Sequence, residues 1–200
     1  MVEVGGITRS AFIARGAIAA GALYGAGAVA PVVERALAAS SGGDTAILDF
    51  ALTLESIEVA FVAEALKVKG LSGEVKRAMR EIAEHERAHQ KQLKQTLEQL
   101  GATASPAPKT SFPKMGGQDA MLSLAIQLEE TGVGAYNGAA PLIQSADLLA
   151  AAGSIVQVEA RHAGALRELA GKDPAPAAFD KALSRDEVMK AVKPYVKGGK

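Results

Sequence analysis

Glu86-Arg87-Ala88-His89 and Glu159-Ala160-Arg161-His162 are two copies of one tetrad, Glu-x-x-His, separated by a shift of 73 residues. Residues three apart share a face of an α-helix, so each tetrad sets a carboxylate beside an imidazole. One such tetrad arises readily by chance. These two are each preceded, one helix upstream, by a further glutamate in the same local setting, Leu54-Glu55 and Leu128-Glu129, at a shift of 74. The near-constant offset reads as a duplicated helix pair whose copies supply equivalent side chains to a pseudo-symmetric centre.

Outward from the tetrads, the apolar residues fall at the alternating three-and-four spacing of core-facing helices. Leu48, Leu52, Val59, Val62 and Leu66 predict a first helix from about Thr45 to Lys69. Val75, Met79, Ile82, Leu93 and Leu100 predict a second, ended by Gly101. Residues 101–118 hold Pro106, Pro108, Pro113, Gly116 and Gly117 and should cross the surface without regular structure. A third stripe runs Leu122, Ile126, Val133, Tyr136 and Ala140; after Pro141 a fourth runs Leu148, Ala152, Ile155, Leu166 and Leu169, up to Gly171. Short links within each pair and a long link between pairs predict an all-α four-helix bundle over residues 44–171, with one crossover between helices two and three. In the tail, 172–200, Ser184-Arg185-Asp186-Glu187 has the form of a capping box leading into Val188, Val192 and Tyr195, the mark of a short fifth helix.

Composition agrees. The chain has 200 residues, enough for one domain with appendages, and is 48% hydrophobic but only 4% aromatic. Lys plus Arg equal Asp plus Glu at 22 each, and no basic patch alternates with aromatics, so nucleic acid is not an expected partner. The absence of cysteine rules out disulfides, thiolate metal sites and a cysteine nucleophile. Residues 1–38 read as an export signal or an attached N-terminal arm. Arg9 and Arg15 precede a Gly- and Ala-rich apolar run, and Ala36-Leu37-Ala38 gives a small-x-small cleavage pattern. Thr8-Arg9-Ser10-Ala11-Phe12-Ile13 resembles a twin-arginine signal with Ser10 where the second arginine belongs. The expectation is export to the periplasm or cell envelope, with no stable membrane anchor after cleavage, or a cytoplasmic location if the segment stays on.

Each stripe is interrupted at mid-helix by residues foreign to a core: Glu55, Glu86 with His89, Glu129, and Glu159 with His162. Buried carboxylates need protons, cationic partners or metal. Two divalent cations would balance four glutamates while two neutral histidines donate through one ring nitrogen each. Glu130 lies on a polar line with Ser123, Gln127, Gly134 and Asn137, so Glu129 is the better ligand; Glu58, on an apolar line with Ala51, Leu54, Phe61 and Ala65, is a candidate extra ligand or supporting acid. Two other readings compete. His85-Glu86-Arg87-Ala88-His89 also spells the zinc-protease pattern His-Glu-x-x-His, although His85 falls off the stripe of Ile82, Glu86 and His89. Alternatively, a metal-free helical bundle could pair the acids with Arg or Lys and serve as a structural protectant during drying.

Five segments carry a resemblance to a known group: Ile47-Leu48-Asp49-Phe50-Ala51-Leu52-Thr53-Leu54-Glu55, Glu84-His85-Glu86-Arg87-Ala88-His89, Leu128-Glu129-Glu130-Thr131-Gly132-Val133-Gly134-Ala135-Tyr136, Gly138-Ala139-Ala140-Pro141-Leu142 and Val158-Glu159-Ala160-Arg161-His162-Ala163. The chain resembles the ferritin-like di-metal carboxylate proteins related to rubrerythrin, and within them the bacterial and plant desiccation-related ferritin-like family. The resemblance implies two metal ions per chain, iron first and manganese second, acting on O₂ or hydrogen peroxide in ferroxidase-like or peroxide-scavenging chemistry. It implies bridging by Glu86 and Glu159, one ion each for His89 and His162, and end-capping by Glu55 and Glu129. Tyr136, seven residues after Glu129, is a candidate relay of protons or electrons. Without cysteines there is no rubredoxin-type domain, so an external electron donor is needed; a homodimer is a further expectation. Where relatives often carry Tyr after Phe in helix one, this chain has Val62.

Overall fold

A computed structural model describes residues 43–197. The segment expected to act in export lies outside the described residues, and no described helix is long and apolar enough to cross a membrane. Four long helices form: α1 (Gly43–Ala65), α2 (Gly73–Gln99), α3 (Gln118–Ala139) and α4 (Ala146–Leu169). A short α5 (Arg185–Val192) follows in the tail. Side-chain hydroxyls start three of them. Ser72 accepts from the Val75 N–H, Ser145 from the Leu148 N–H, and Ser184 with Glu187 closes the expected capping box.

Helix one stops a turn earlier than its apolar stripe suggests, at Ala65 rather than Lys69. The Lys67 and Val68 N–H groups reach back only three residues, to Glu64 and Ala65, and Gly70 then takes φ +80°. This tightened turn folds Leu66 and Val68 back onto the core.

The apolar side chains form two clusters, one toward each end of the bundle. One holds Phe61, Met79, Leu122 and Leu166 with Val188 and Tyr195 of the tail; the other holds Leu52, Leu93, Tyr136 and Ile155. Each long helix contributes mainly to one cluster before its acidic residues and mainly to the other after them. α1 and α4 cross in one direction, α2 and α3 in the opposite one. Because α2 and α3 run the same way, residues 101–117 must return the chain along the whole bundle. Seventeen residues reach roughly 56 Å when extended, ample against the roughly 33 Å of α3. The connector is pinned at both ends of its course. Ser105 donates its N–H and its hydroxyl to the two carboxylate oxygens of Asp49, at 2.7 and 2.6 Å. Further on, Phe112 packs edge-on against Phe61, and Thr110 bridges to Val196.

The line that reads as polar on helix three is polar only at its start. Ser123, Gln127 and Glu130 are exposed, but Gly134 is buried beneath the tail, whose Leu183 N–H donates to the Gly134 carbonyl at 2.8 Å. A Cβ on Gly138 would lie 1.9 Å from the Leu183 carbonyl oxygen. Because that neighbour is backbone, Gly138→Ala should force the tail off α3. The expected cost is about 1–3 kcal/mol in a urea or thermal melt, with faster proteolysis between residues 172 and 184.

Candidate metal centre

Helical periodicity carries Glu55, Glu86, Glu129, Glu159 and His162 into the layer between the two apolar clusters, where all five are buried; the His89 side chain is 12% exposed. The carboxylates and imidazoles point at one another across the bundle. His89 Nδ1 lies 2.8 Å from Glu159 Oε1, 3.4 Å from Glu55 Oε2 and 3.5 Å from Glu86 Oε2. His162 Nδ1 lies 3.0 Å from Glu86 Oε1, 3.2 Å from Glu129 Oε2 and 3.6 Å from Glu159 Oε2. These atoms fall into two groups with potential ligand atoms mutually within 4.8 Å: Glu55, Glu86, His89 and Glu159, and Glu86, Glu129, Glu159 and His162. Glu86 and Glu159 belong to both.

Within the layer, close approach produces a hydrogen bond between His162 Nδ1 and Glu129 Oε2 at 3.2 Å, but leaves other polar atoms without partners. Glu55 Oε2, both oxygens of Glu86, both oxygens of Glu159 and His89 Nδ1 are buried and make none. Buried polar atoms ordinarily find partners. Six orphans aimed into one small volume form a donor set of oxygen and imidazole nitrogen suited to a divalent cation of the iron, manganese or zinc type.

Without metal, the layer neutralises itself with protons. Burial pushes Glu55 up to about 8, against the pull of His89 and with the push of Glu159 and Glu86. Burial likewise carries Glu129 and Glu58 well above the usual carboxylate range. At Glu159 and Glu86 burial acts upward too, but the His162 and His89 imidazoles outweigh it and hold both below the usual value, Glu159 at about 2. The histidines show the converse. Burial acts downward and the carboxylates overcome it, raising His89 to about 12 and His162 to about 11. Glu86 and Glu159, the two residues shared by both groups, are therefore the pair held ionised.

Tyr136 donates its hydroxyl to Glu55 Oε1 at 2.6 Å, leaving Oε2 turned into the layer. Burial, then the Glu55 charge, pushes the phenol well above its usual range, so it remains a donor. Glu58 is buried but belongs to neither group; its Oε1 sits where a Cβ on Gly132 would come within 3.0 Å. Glu130 is exposed and pairs with Arg167, away from the layer. His85 is exposed and also belongs to neither group, so His-Glu-x-x-His does not bring two imidazoles to one ion here. Its Nδ1 instead lies 2.9 Å from His162 Nε2, a contact that the stripe of α2 alone did not reveal. No Lys or Arg among the described residues pairs with the six, as the metal-free reading would require.

A family model described as a ferritin-like domain matches residues 43–172, the span of the four helices. The chain belongs to the ferritin-like family. Its fold is also that of a solved structure, a conserved hypothetical protein from Mycobacterium tuberculosis. That protein is 21% identical, with a TM-score of 0.57, and the match covers 68% of this ferritin-like chain and 96% of the other. No curated protein matches the chain. The layer of glutamates and histidines in this ferritin-like bundle thus has the composition and burial of a metal-binding centre.

Proposed function

We propose that the chain is a dinuclear non-haem metal protein, holding iron or manganese, that reacts with O₂ or hydrogen peroxide. The observation that carries this is the pair of ligand groups that share Glu86 and Glu159, with six buried oxygen and nitrogen atoms of Glu55, Glu86, His89 and Glu159 left unpartnered. In this reading Glu86 and Glu159 serve both ions. Glu55 and His89 complete one position, Glu129 and His162 the other. Iron or manganese bound there would supply the electrons for reducing O₂ or peroxide.

The protein's own part is to bind, orient and keep the layer dry. Two apolar clusters close it from either end, and the Tyr136 hydroxyl fixes which Glu55 oxygen faces inward. Beside Tyr136 lies an apolar space of about 20 Å³ lined by Leu48, Leu54 and Ala135 and by none of the six. A cavity of about 480 Å³ does occur between α2 and α4, but it is lined by Glu74, Arg77, Glu81, Ala165, Glu168 and Leu169 and by none of the six.

Protein reconstituted anaerobically with Fe²⁺ or Mn²⁺ should hold about two ions per chain, the complement of di-metal carboxylate bundles. With an external reductant it should then consume hydrogen peroxide over many turnovers. Folded protein that stays metal-free after reconstitution would overturn the proposal. Metal-loaded protein inert to both oxidants would overturn its redox part.

A further inference from the structure

His85 is the one histidine outside both ligand groups, yet it touches one of their members. His85 Nδ1 lies 2.9 Å from His162 Nε2, with the two ring planes 7° apart. His162 Nδ1 faces Glu86, Glu129 and Glu159. To give an ion a lone pair from Nδ1, a neutral imidazole must carry its proton on Nε2, and that N–H then needs an acceptor. Among the described residues, the atom placed to accept it is His85 Nδ1.

The two halves of the duplication differ here. Shifting His85 by the 73 residues that relate the tetrads gives Val158, which cannot accept a hydrogen bond. His89 has no hydrogen-bond partner at its other ring nitrogen among the described residues. Conversely, Tyr136 supports Glu55, whereas a shift of 74 residues back from Tyr136 gives Val62, so Glu129 lacks the equivalent phenol. One position is therefore supported through its carboxylate and the other through its imidazole.

We infer that His85 is a positioning residue: it accepts the Nε2–H of His162, fixes Nδ1 as the metal-binding nitrogen, and so selectively strengthens the position formed by Glu129 and His162. The inference rests on the metal-centre reading above. Partners of this kind typically contribute 10–100-fold to metal affinity. His85 is exposed, so its replacement leaves the core intact.

The test uses Zn²⁺, which is diamagnetic, titrated against a chromophoric chelator and followed by ¹H–¹⁵N spectra of histidine-labelled protein. Wild type should bind in two steps and show a slowly exchanging His162 Nε2–H. His85→Val should weaken one step about 10–100-fold, leave the other, and lose that proton signal. His85→Gln, whose amide oxygen can accept the same N–H, should recover most of both. If wild type binds two ions and His85→Val leaves both steps and the proton signal unchanged, the role of His85 is overturned while the metal centre stands. If His85→Gln behaves like His85→Val, positioning by an acceptor is likewise overturned. Wild type that takes up no Zn²⁺ would overturn the metal-centre reading, and this inference with it.

Discussion

The Glu86→Ala/Glu159→Ala double variant is expected to lose both metal ions together, not one after the other. Each of the two groups contains Glu86 and Glu159, so the substitution leaves only Glu55 with His89 and Glu129 with His162. Two ligands per position cannot hold a labile divalent ion in competition with buffer. Elemental analysis should read close to zero, against about two per chain for wild type. A second consequence follows by mass action. Metal at one hundred times its dissociation constant stabilises the fold by about 2.7 kcal/mol for each site, and the variant should show none of this shift. Alanine also opens voids, so Glu86→Gln/Glu159→Gln, which keeps the volume, separates loss of metal from loss of packing. Retention of two ions by the glutamine pair would remove Glu86 and Glu159 from the centre.

The tetrads were legible because spacing, stripe and repeat are all local or nearly so, and the structure gathers those four residues into one layer with Glu55 and Glu129. Glu129 separated from Glu130 for the same reason: one lies on the face toward the core, the other reaches Arg167. Helix one offered less. It is apolar nearly all round, and Leu54, Ile57 and Phe61 are buried as well as Leu48, Leu52 and Val62, so periodicity could not say whether Glu58 faces the layer. The structure buries Glu58 but sets it against Gly132, outside both groups.

Contacts between distant segments were the illegible part. The tail covers Gly134 and Gly138 through Leu183, roughly forty-five residues further on, and nothing in the 3.6-residue period of α3 announces a backbone as neighbour. His85 is a second case. Its stripe marks it as outward, and it is outward with respect to the core; its partner, His162, comes from another helix. Two-body contacts across a bundle depend on how the helices cross, which single-helix patterns do not encode.

The stability of the metal-free protein is expected to fall as pH rises from about 5 to 8, and binding of metal should reverse the trend. The sign follows from which state holds more protons. Glu55 keeps its proton up to about 8 when folded, whereas an unfolded glutamate releases it near 4.5, so between those values the folded state binds more protons and loses stability with rising pH. Burial, reinforced by the neighbouring carboxylate charges, drives Glu129 and Glu58 in the same direction. The histidines add to the slope from 6.5 upward. Their folded values, about 12 and 11, make their contribution complete below 6.5 and steadily smaller as pH rises toward those values. Glu159, held at about 2, acts oppositely, but only in acid: its contribution is present above 4.5 and lost as pH falls toward 2. Metal-free protein should therefore be most stable near pH 5. An ion can enter only by displacing protons from His89, His162, Glu55 and Glu129, so apparent affinity should climb steeply across the same interval. Calorimetric titration with Mn²⁺ in buffers of different ionisation enthalpy counts those protons directly, and release of fewer than two per chain would contradict this account of the layer.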